Sequence, residues 1–540
     1  MSTRVDNDRE RIVRSSAAVA AGTLLSRVTG LLRVAVLAYA VGKFTLADTY
    51  NLANSTPNIV YELVLGGVLS ATLVPLFVER IEHHDERAIS ALFTVAISAL
   101  TVLTALAMLF APLIARLYAL DSKLTGSARA AQLHVMTILT LWFLPQMLFY
   151  GLTALATALL NAHRRFVAAA FAPVLNNVLV IGVLVAFAHS ITGARAQWID
   201  VRRISGDAGR LTLLGAGTTA GIAVMALVLV PALRHASTRL RFAFDWRHPA
   251  VRTMLRLSGW TFGYVVTNQV ALLIVLVLAN GGSGNASAYL YAYAFFQVPQ
   301  GLLAVSIMTT MMPELARSAA QRDFAGLAYR FRVGLRYLLL LMIPAAVLFI
   351  ALAQPMLGVL VRGDFRPHDA VVTAQTLQAM SIGLVPFSVY LYTLRGFYAL
   401  HDTFTPFWIN TIENGVNVAL AFALYPSLGV QGLALAWSGA YTVAAVVAVV
   451  VLRRRVPGPV DRAVGVSVIR AGIATALLAI VAVVLAGAIG HATANRALVA
   501  TGVAGLGGGA AYLVLLLVMR TPELGSLFAV LRRRAVPLDT

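Results

Sequence analysis

Apolar residues run in stretches of about 20 or more from one end of the chain to the other, each long enough to cross a roughly 30 Å hydrocarbon core as a helix. The pattern predicts fourteen spans, near 15–41, 53–78, 89–115, 131–160, 167–189, 211–233, 254–279, 287–312, 333–353, 371–398, 404–425, 429–452, 466–489 and 497–519. An even number returns the chain to the side on which it began. Lys and Arg gather on that side, most heavily in "RHASTRLRFAFDWRHPAVR" after the sixth span, "RSAAQRDFAGLAYRFRVGLR" after the eighth and "RRRVPGPVDR" after the twelfth. That bias places both termini in the cytoplasm.

Composition agrees with an all-α polytopic membrane protein. Of 540 residues 59% are hydrophobic and 12% charged, with a mean hydropathy of +0.81. The loops are short, which leaves no room for a soluble catalytic domain. The formal charge of +20 follows the topology and suits an anionic inner leaflet, so nucleic acid is not an expected partner. The absence of cysteine excludes disulfides and thiolate metal sites. "AYA" at 38–40 resembles a signal-peptide cleavage site, but Arg27 and Arg33 interrupt the apolar run, which reads as an uncleaved helix.

Six spans precede the first basic linker, six follow it, and two more come after "RRRVPGPVDR". The expected division is a lobe at 1–233, a second at 234–455, and two C-terminal helices with a cytoplasmic tail at 456–540. A weak internal echo supports the two lobes: "LSATLVPLFVER" closes the second span and "SIMTTMMPELAR" the eighth. Pro75 and Pro313 match within these segments, and Pro57 and Pro299 enter the same two helices earlier. With Gly30, these prolines are the expected hinges or helix breaks.

Ionisable residues far from either interface are costly, about 2.5 to 3.5 kcal/mol each at a helix centre. Those singled out are Arg27 and Arg33 in the first span, Glu62 in the second and Glu413 in the eleventh. Arg27 and Arg33 lie about 120° apart around an ideal helix. A guanidinium keeps its charge and matches phosphate with a planar fork, so one reading is a diphosphate site in a wet cavity. The other is structural, with the arginines neutralised by Glu62 or helix carbonyls, or snorkelling outward, Arg33 above all; Glu62 is either the partner of Arg27 or a group whose protonation follows a transport cycle. In "NTIENGVN", Asn410, Glu413, Asn414 and Asn417 share one helix face and suit either a sodium ion or proton, or an interhelical hydrogen-bond seam. No enzymatic constellation is present in the sequence, and no cofactor is implied.

The segment "SRVTGLLRVAVLAYAVGKFTLADTYNLANSTPNIVYELVLGGVLSATLVPLF" (26–77), with "LNAHRRFVAAAFAPVLNN" (160–177), "VPQGLLAVSIMTTMMPELA" (298–316) and "RGFYALHDTFTP" (395–406), resembles the MurJ (MviN) family of lipid II flippases. That family is part of the multidrug/oligosaccharidyl-lipid/polysaccharide exporter superfamily. The resemblance implies an inner-membrane protein of fourteen helices that moves an undecaprenyl-diphosphate-linked disaccharide pentapeptide outward by alternating access. It puts Ser26, Arg27 and Arg33 in the places of cavity residues and Asp48 in that of a second-helix aspartate; Glu62 joins them as a substrate-site candidate on its own position in the membrane, not through the resemblance. It also implies lipid II and membrane lipids as partners, with other cell-wall synthesis proteins as further ones. Two arginines common in the family are replaced here, by Tyr61 and Glu62 in the second helix and by Ala294 in the eighth. The alternatives are an exporter of other polyprenyl-linked sugars or drugs, and a scaffold for cell-wall synthesis that transports nothing.

Overall fold

The computed structural model describes residues 2–63, 73–83, 85–163, 165–191, 200–235, 241–252 and 259–524. Its regular elements are helical. Eleven helices among the described residues are long and apolar enough to cross a membrane, or twelve when Pro367–Ile382 and Leu384–Ala399, bent by 43° at Gly383, count as one. The protein is an all-α, multi-pass membrane protein.

Two predicted spans, 404–425 and 429–452, fall in the single 50-residue stretch Phe404–Arg453, where Gly429 adopts φ 58° and ψ −137°. The chain reverses there. A side chain at Gly432 would strike the Leu424 carbonyl, and one at Gly439 would meet Leu420. A positive φ at the reversal is a conformation glycine adopts without a steric penalty. The second predicted span crosses residues 64–72 and the seventh begins at 254–258, so those parts lie outside the described residues, as does the tail beyond Leu524.

The chain divides into two compact units, Met1–Ser287 with Gly363–Phe365, and Ala288–Arg362 with Arg366–Thr540. The seventh helix, Gly259–Ala279, clusters with the first unit. Polar bonds at its C-terminal end tie it there. Asn280 donates to the Tyr118 carbonyl at 2.9 Å, and Gln132 donates to Asn280 at 3.3 Å. The excursion Gly363–Phe365 joins the same unit through the Asp364 amide, which donates to Tyr39 O at 3.2 Å.

In the first unit, Phe77, Leu92, Phe93, Leu100, Leu155 and Leu159 form one core, and Leu160, Ala172, Ile222 and Leu229 a second. In the second unit, Phe324–Gly358 packs against both C-terminal helices, Arg462–Ile489 and Ala494–Val518. Small residues recur along the buried faces of that pair, at Ala471, Ala474, Ala482 and Ala486 on one helix and Ala497, Ala500, Ala504 and Gly508 on the other. In lipid, where apolar burial gives helices little reason to associate, such seams let backbones come close enough for dispersion to hold them. Tyr512 adds a hydrogen bond to the Leu340 carbonyl at 2.6 Å.

Beyond the last span, Glu523 fastens this bundle. Its Oε1 accepts from Arg336 at 2.6 Å and from Ser467 at 2.7 Å. Burial works against the charged carboxylate, but the bond from Ser467, a backbone bond and the Arg336 guanidinium outweigh it and hold the pKa below the usual range. We expect Glu523→Ala to remove roughly 2 kcal/mol, below the range for a fully buried pair because Arg336 stays partly wet, read as a lower Tm in detergent. The carboxylate's contribution is complete above its unfolded pKa of about 4.3 and is lost as pH falls through the lowered folded value. Wild type and Glu523→Ala should therefore converge in Tm at strongly acidic pH.

Candidate functional site

The first helix, Ser2–Val41, runs unbroken through Gly30. The hinge expected there is not a break in the helix, and the glycine has another use. Gly22, Ser26 and Gly30 repeat at intervals of four and so form a strip of small residues facing Val167–Ser190. A side-chain carbon at Gly22 would come within 3.0 Å of Ala170 and Phe171, whereas one at Gly30 would sit 3.6 Å from the Asn177 amide nitrogen. Asn177 donates to Ser26 O at 3.2 Å and to Thr29 Oγ1 at 3.0 Å. Ser26 is therefore engaged in the helix seam through its carbonyl.

The seam fixes where the two arginines go. Arg27 falls on the exposed flank of the helix, and Arg33, one turn beyond the seam, is half-buried. The Arg33 guanidinium is within electrostatic range of the Tyr50 and Tyr150 phenols. That position favours the cavity reading of Arg33 over the snorkelling alternative. Tyr50 is itself held by Thr218 at 2.9 Å, and Tyr150 packs on Tyr61 with ring centroids 5.8 Å apart. No pattern in the sequence pointed to these tyrosines, because aromatic residues in an apolar run carry no periodic polar signal.

Glu62 does not neutralise either arginine. Among the described residues neither Arg27 nor Arg33 is in an ion pair, and Glu62 is in none. Glu62 begins a π-helical step, at residues 62 and 63, that follows the helix Thr45–Tyr61. The helix continues through Pro57, so the irregularity comes five residues after that proline. In the second unit the helix Asn285–Pro299 passes directly into a π-helix, Gln300–Ala304, and then into Val305–Ala320. Pro57 and Pro299 thus each precede a π-helical step, a local widening frequent at functional sites. Pro313 lies inside Val305–Ala320 without interrupting it. Pro75 is in the helix Leu73–Glu82, its side chain outside the described set.

Asp48 is buried and already saturated. Its carboxylate accepts from the Gly284 amide at 2.5 Å and from the Ser287 amide and hydroxyl, both at 2.7 Å. Asn51 donates to the same Ser287 hydroxyl at 3.0 Å. A carboxylate holding three donors acts as a structural clasp.

In the second unit, Asn410, Glu413, Asn414 and Asn417 are all buried along one face of Phe404–Arg453. Asn414 donates back to the Asn410 carbonyl at 2.9 Å. Glu413 Oε2 and Asn417 Oδ1 have no hydrogen-bond partner among the described residues. Tyr289, another residue unmarked in the sequence, is within electrostatic range of Glu413. The face therefore presents acceptor oxygens one helical turn apart, which a seam of satisfied bonds would not leave.

A family model described as "Lipid II flippase MurJ" matches residues 37–502. The chain belongs to the MurJ family. A probable lipid II flippase MurJ from Rhizobium meliloti (strain 1021) is 30% identical over 437 residues, 79% of this chain and 77% of that protein. A lipid II flippase MurJ from Burkholderia cenocepacia is 28% identical over 437 residues, 78% of this chain and 80% of that one. Among solved structures, a lipid II flippase MurJ in an inward closed conformation matches with TM-score 0.73 at 21% identity, over 94% of this chain and 99% of that chain. An inward-facing multidrug resistance transporter of the MATE family matches at 0.64 and 14% identity, over 80% and 95%. At such identities the two structures speak for the fold alone. The stretch matched by the MurJ family model takes in Asp48, Glu62 and Asn410–Asn417 and begins after Arg33.

The seam distinguishes two glycines. Gly30→Ala is expected to keep function and gain up to about 1 kcal/mol of helix propensity, while Gly22→Leu forces the two helices apart and lowers both Tm and function. Thermal stability and growth complementation of a strain depleted of its own flippase read both. A hinge at Gly30 would make Gly30→Ala the damaging change instead.

Proposed function

We propose that the protein moves lipid II from the inner to the outer leaflet of the bacterial cytoplasmic membrane, by alternating access, with Arg27 and Arg33 holding the diphosphate. The carrying observation is a pair of arginines in a membrane helix that no acidic residue neutralises among those described, in a chain of the MurJ family. A guanidinium left charged in such a helix needs an anion or water, and a diphosphate offers oxygens for both forks. Tyr50 and Tyr150 are within electrostatic range of Arg33 and bring phenols to its neighbourhood. The tail stays in the bilayer while the sugar and peptide pass with the diphosphate. Both termini face the cytoplasm in this reading, in line with the inside excess of Lys and Arg.

Glu413 and Asn417 support a coupled cation as the source of direction. One carboxylate with nearby amide oxygens is an oxygen donor set suited to sodium, and the carboxylate alone can carry a proton. Either species would bias one facing state by its differential affinity for the two.

Replacing both arginines tests the first claim. Each charge-assisted bond to phosphate contributes about 1.5 to 3 kcal/mol, so Arg27→Ala with Arg33→Ala should cut lipid II flipping in proteoliposomes by at least about tenfold. It should also fail to rescue a depleted strain, in which lipid II collects on the inner leaflet. Rescue by the double variant would indicate a scaffold, and transport of a simple organic cation with lipid II ignored would indicate a drug exporter. For the second claim, Glu413→Gln is expected to abolish the response of flipping to a sodium or proton gradient while lipid II binding persists. An unchanged gradient response would remove Glu413 from coupling.

A further inference from the structure

The linker after the sixth span has a structure that the proposed cycle does not use. Arg241 donates its amide to Ser90 Oγ at 3.2 Å, and Ala243 donates its amide to Thr94 Oγ1 at 3.1 Å. Ser90 and Thr94 are one turn apart on the helix Glu86–Leu109, a rise of about 6 Å, which two residues of extended chain also cover. The segment therefore lies along that helix as an extended strap. Phe242, Phe244 and Trp246 alternate along it and are exposed, Phe242 at 85%. Arg247 stacks over Trp246 at 5.0 Å.

Beside the strap is a cavity of about 790 Å³, lined by Phe93, Ile97, Leu152 and Leu233, with Arg234 and Arg241 among its walls. All of these belong to the first unit. Neither arginine is in an ion pair among the described residues. An apolar slot rimmed by two exposed guanidinium groups, Arg234 and Arg241, is complementary to a molecule with one hydrocarbon chain and one anionic head. A free anion would gain nothing from the apolar lining, and a neutral lipid would leave the arginines unmatched.

We propose that this groove binds an anionic glycerophospholipid, its phosphodiester on Arg234 and Arg241 and one acyl chain against Phe93, Ile97 and Leu152. On the orientation proposed above, the site opens at the inner leaflet, where anionic lipid is abundant and basic pockets between helices take phosphate headgroups. The exposed rings of the strap then sit at headgroup depth, as aromatic residues do in an interfacial belt. The strap is the outer wall of the groove, so a bound lipid and the two hydroxyl-anchored amides hold it to the helix together.

The test uses the full-length protein in a neutral detergent with phosphatidylglycerol carrying a photoreactive group on one acyl chain, followed by peptide mapping. Labelling is expected within residues 93–97 and at 152, and phosphatidylcholine with the same chain should label them several-fold less. Arg234→Gln with Arg241→Gln should reduce labelling about tenfold. Ile97→Trp, which fills the slot and keeps both arginines, should reduce it as well. Circular dichroism of each variant shows that it is folded. Equal labelling by phosphatidylcholine, or full labelling of the arginine variant, would overturn the proposal, as would displacement by millimolar inorganic phosphate, which would make this an anion site only. Labelling is read on protein that is not transporting, so its outcome is separate from that of the flippase reading.

Discussion

A guanidinium at membrane depth cannot shed its charge, so whatever surrounds it must supply counter-charge, donors' partners or water. Arg27 and Arg33 impose that demand on the first unit, and the described protein meets it without an acidic residue. The helix that carries them is pinned by small residues, with Gly22 against Ala170 and Phe171 and with Asn177 bonded to Ser26 and Thr29. A rigid seam on one face leaves the arginines on others. Glu62 has no ion pair, and Asp48 is committed to Gly284 and Ser287. Among the described residues no acid answers the two arginines, which leaves water or the anion proposed above to do so.

The second unit contains the opposite imbalance. Glu413 and Asn417 carry buried acceptor oxygens that no described donor satisfies. Acceptor oxygens in one unit and unneutralised arginines in the other are the two imbalances on which the proposed cargo site and the proposed coupling site rest. Each unit also has a proline helix followed by a π-helical step, at residues 62–63 and at Gln300–Ala304. Such steps concentrate backbone adjustability into a few residues of otherwise regular helices.

The architecture was legible because hydrocarbon enforces helices of a fixed length, and the Arg and Glu positions were legible because charge in an apolar run is conspicuous. What those residues do was less so. Asp48 entered only through the family resemblance, because the sequence cannot reveal that the Gly284 and Ser287 amides close on it from 236 and 239 residues away. Gly30 looked like a hinge because the same residue serves for bending and for close approach, and only the position of Asn177 separates the two. Tyr50, Tyr150 and Tyr289 were silent because an aromatic side chain buried in an apolar helix fits the pattern of packing.

The central claim is that the two arginines recognise a diphosphate. Its most direct measurement is the affinity of the purified protein for a polyprenyl diphosphate relative to the matching monophosphate, in wild type and after Arg27→Ala with Arg33→Ala. The account requires a clear preference for the diphosphate in wild type that collapses in the double variant while its Tm stays unchanged. An undiminished preference in a folded double variant would contradict it.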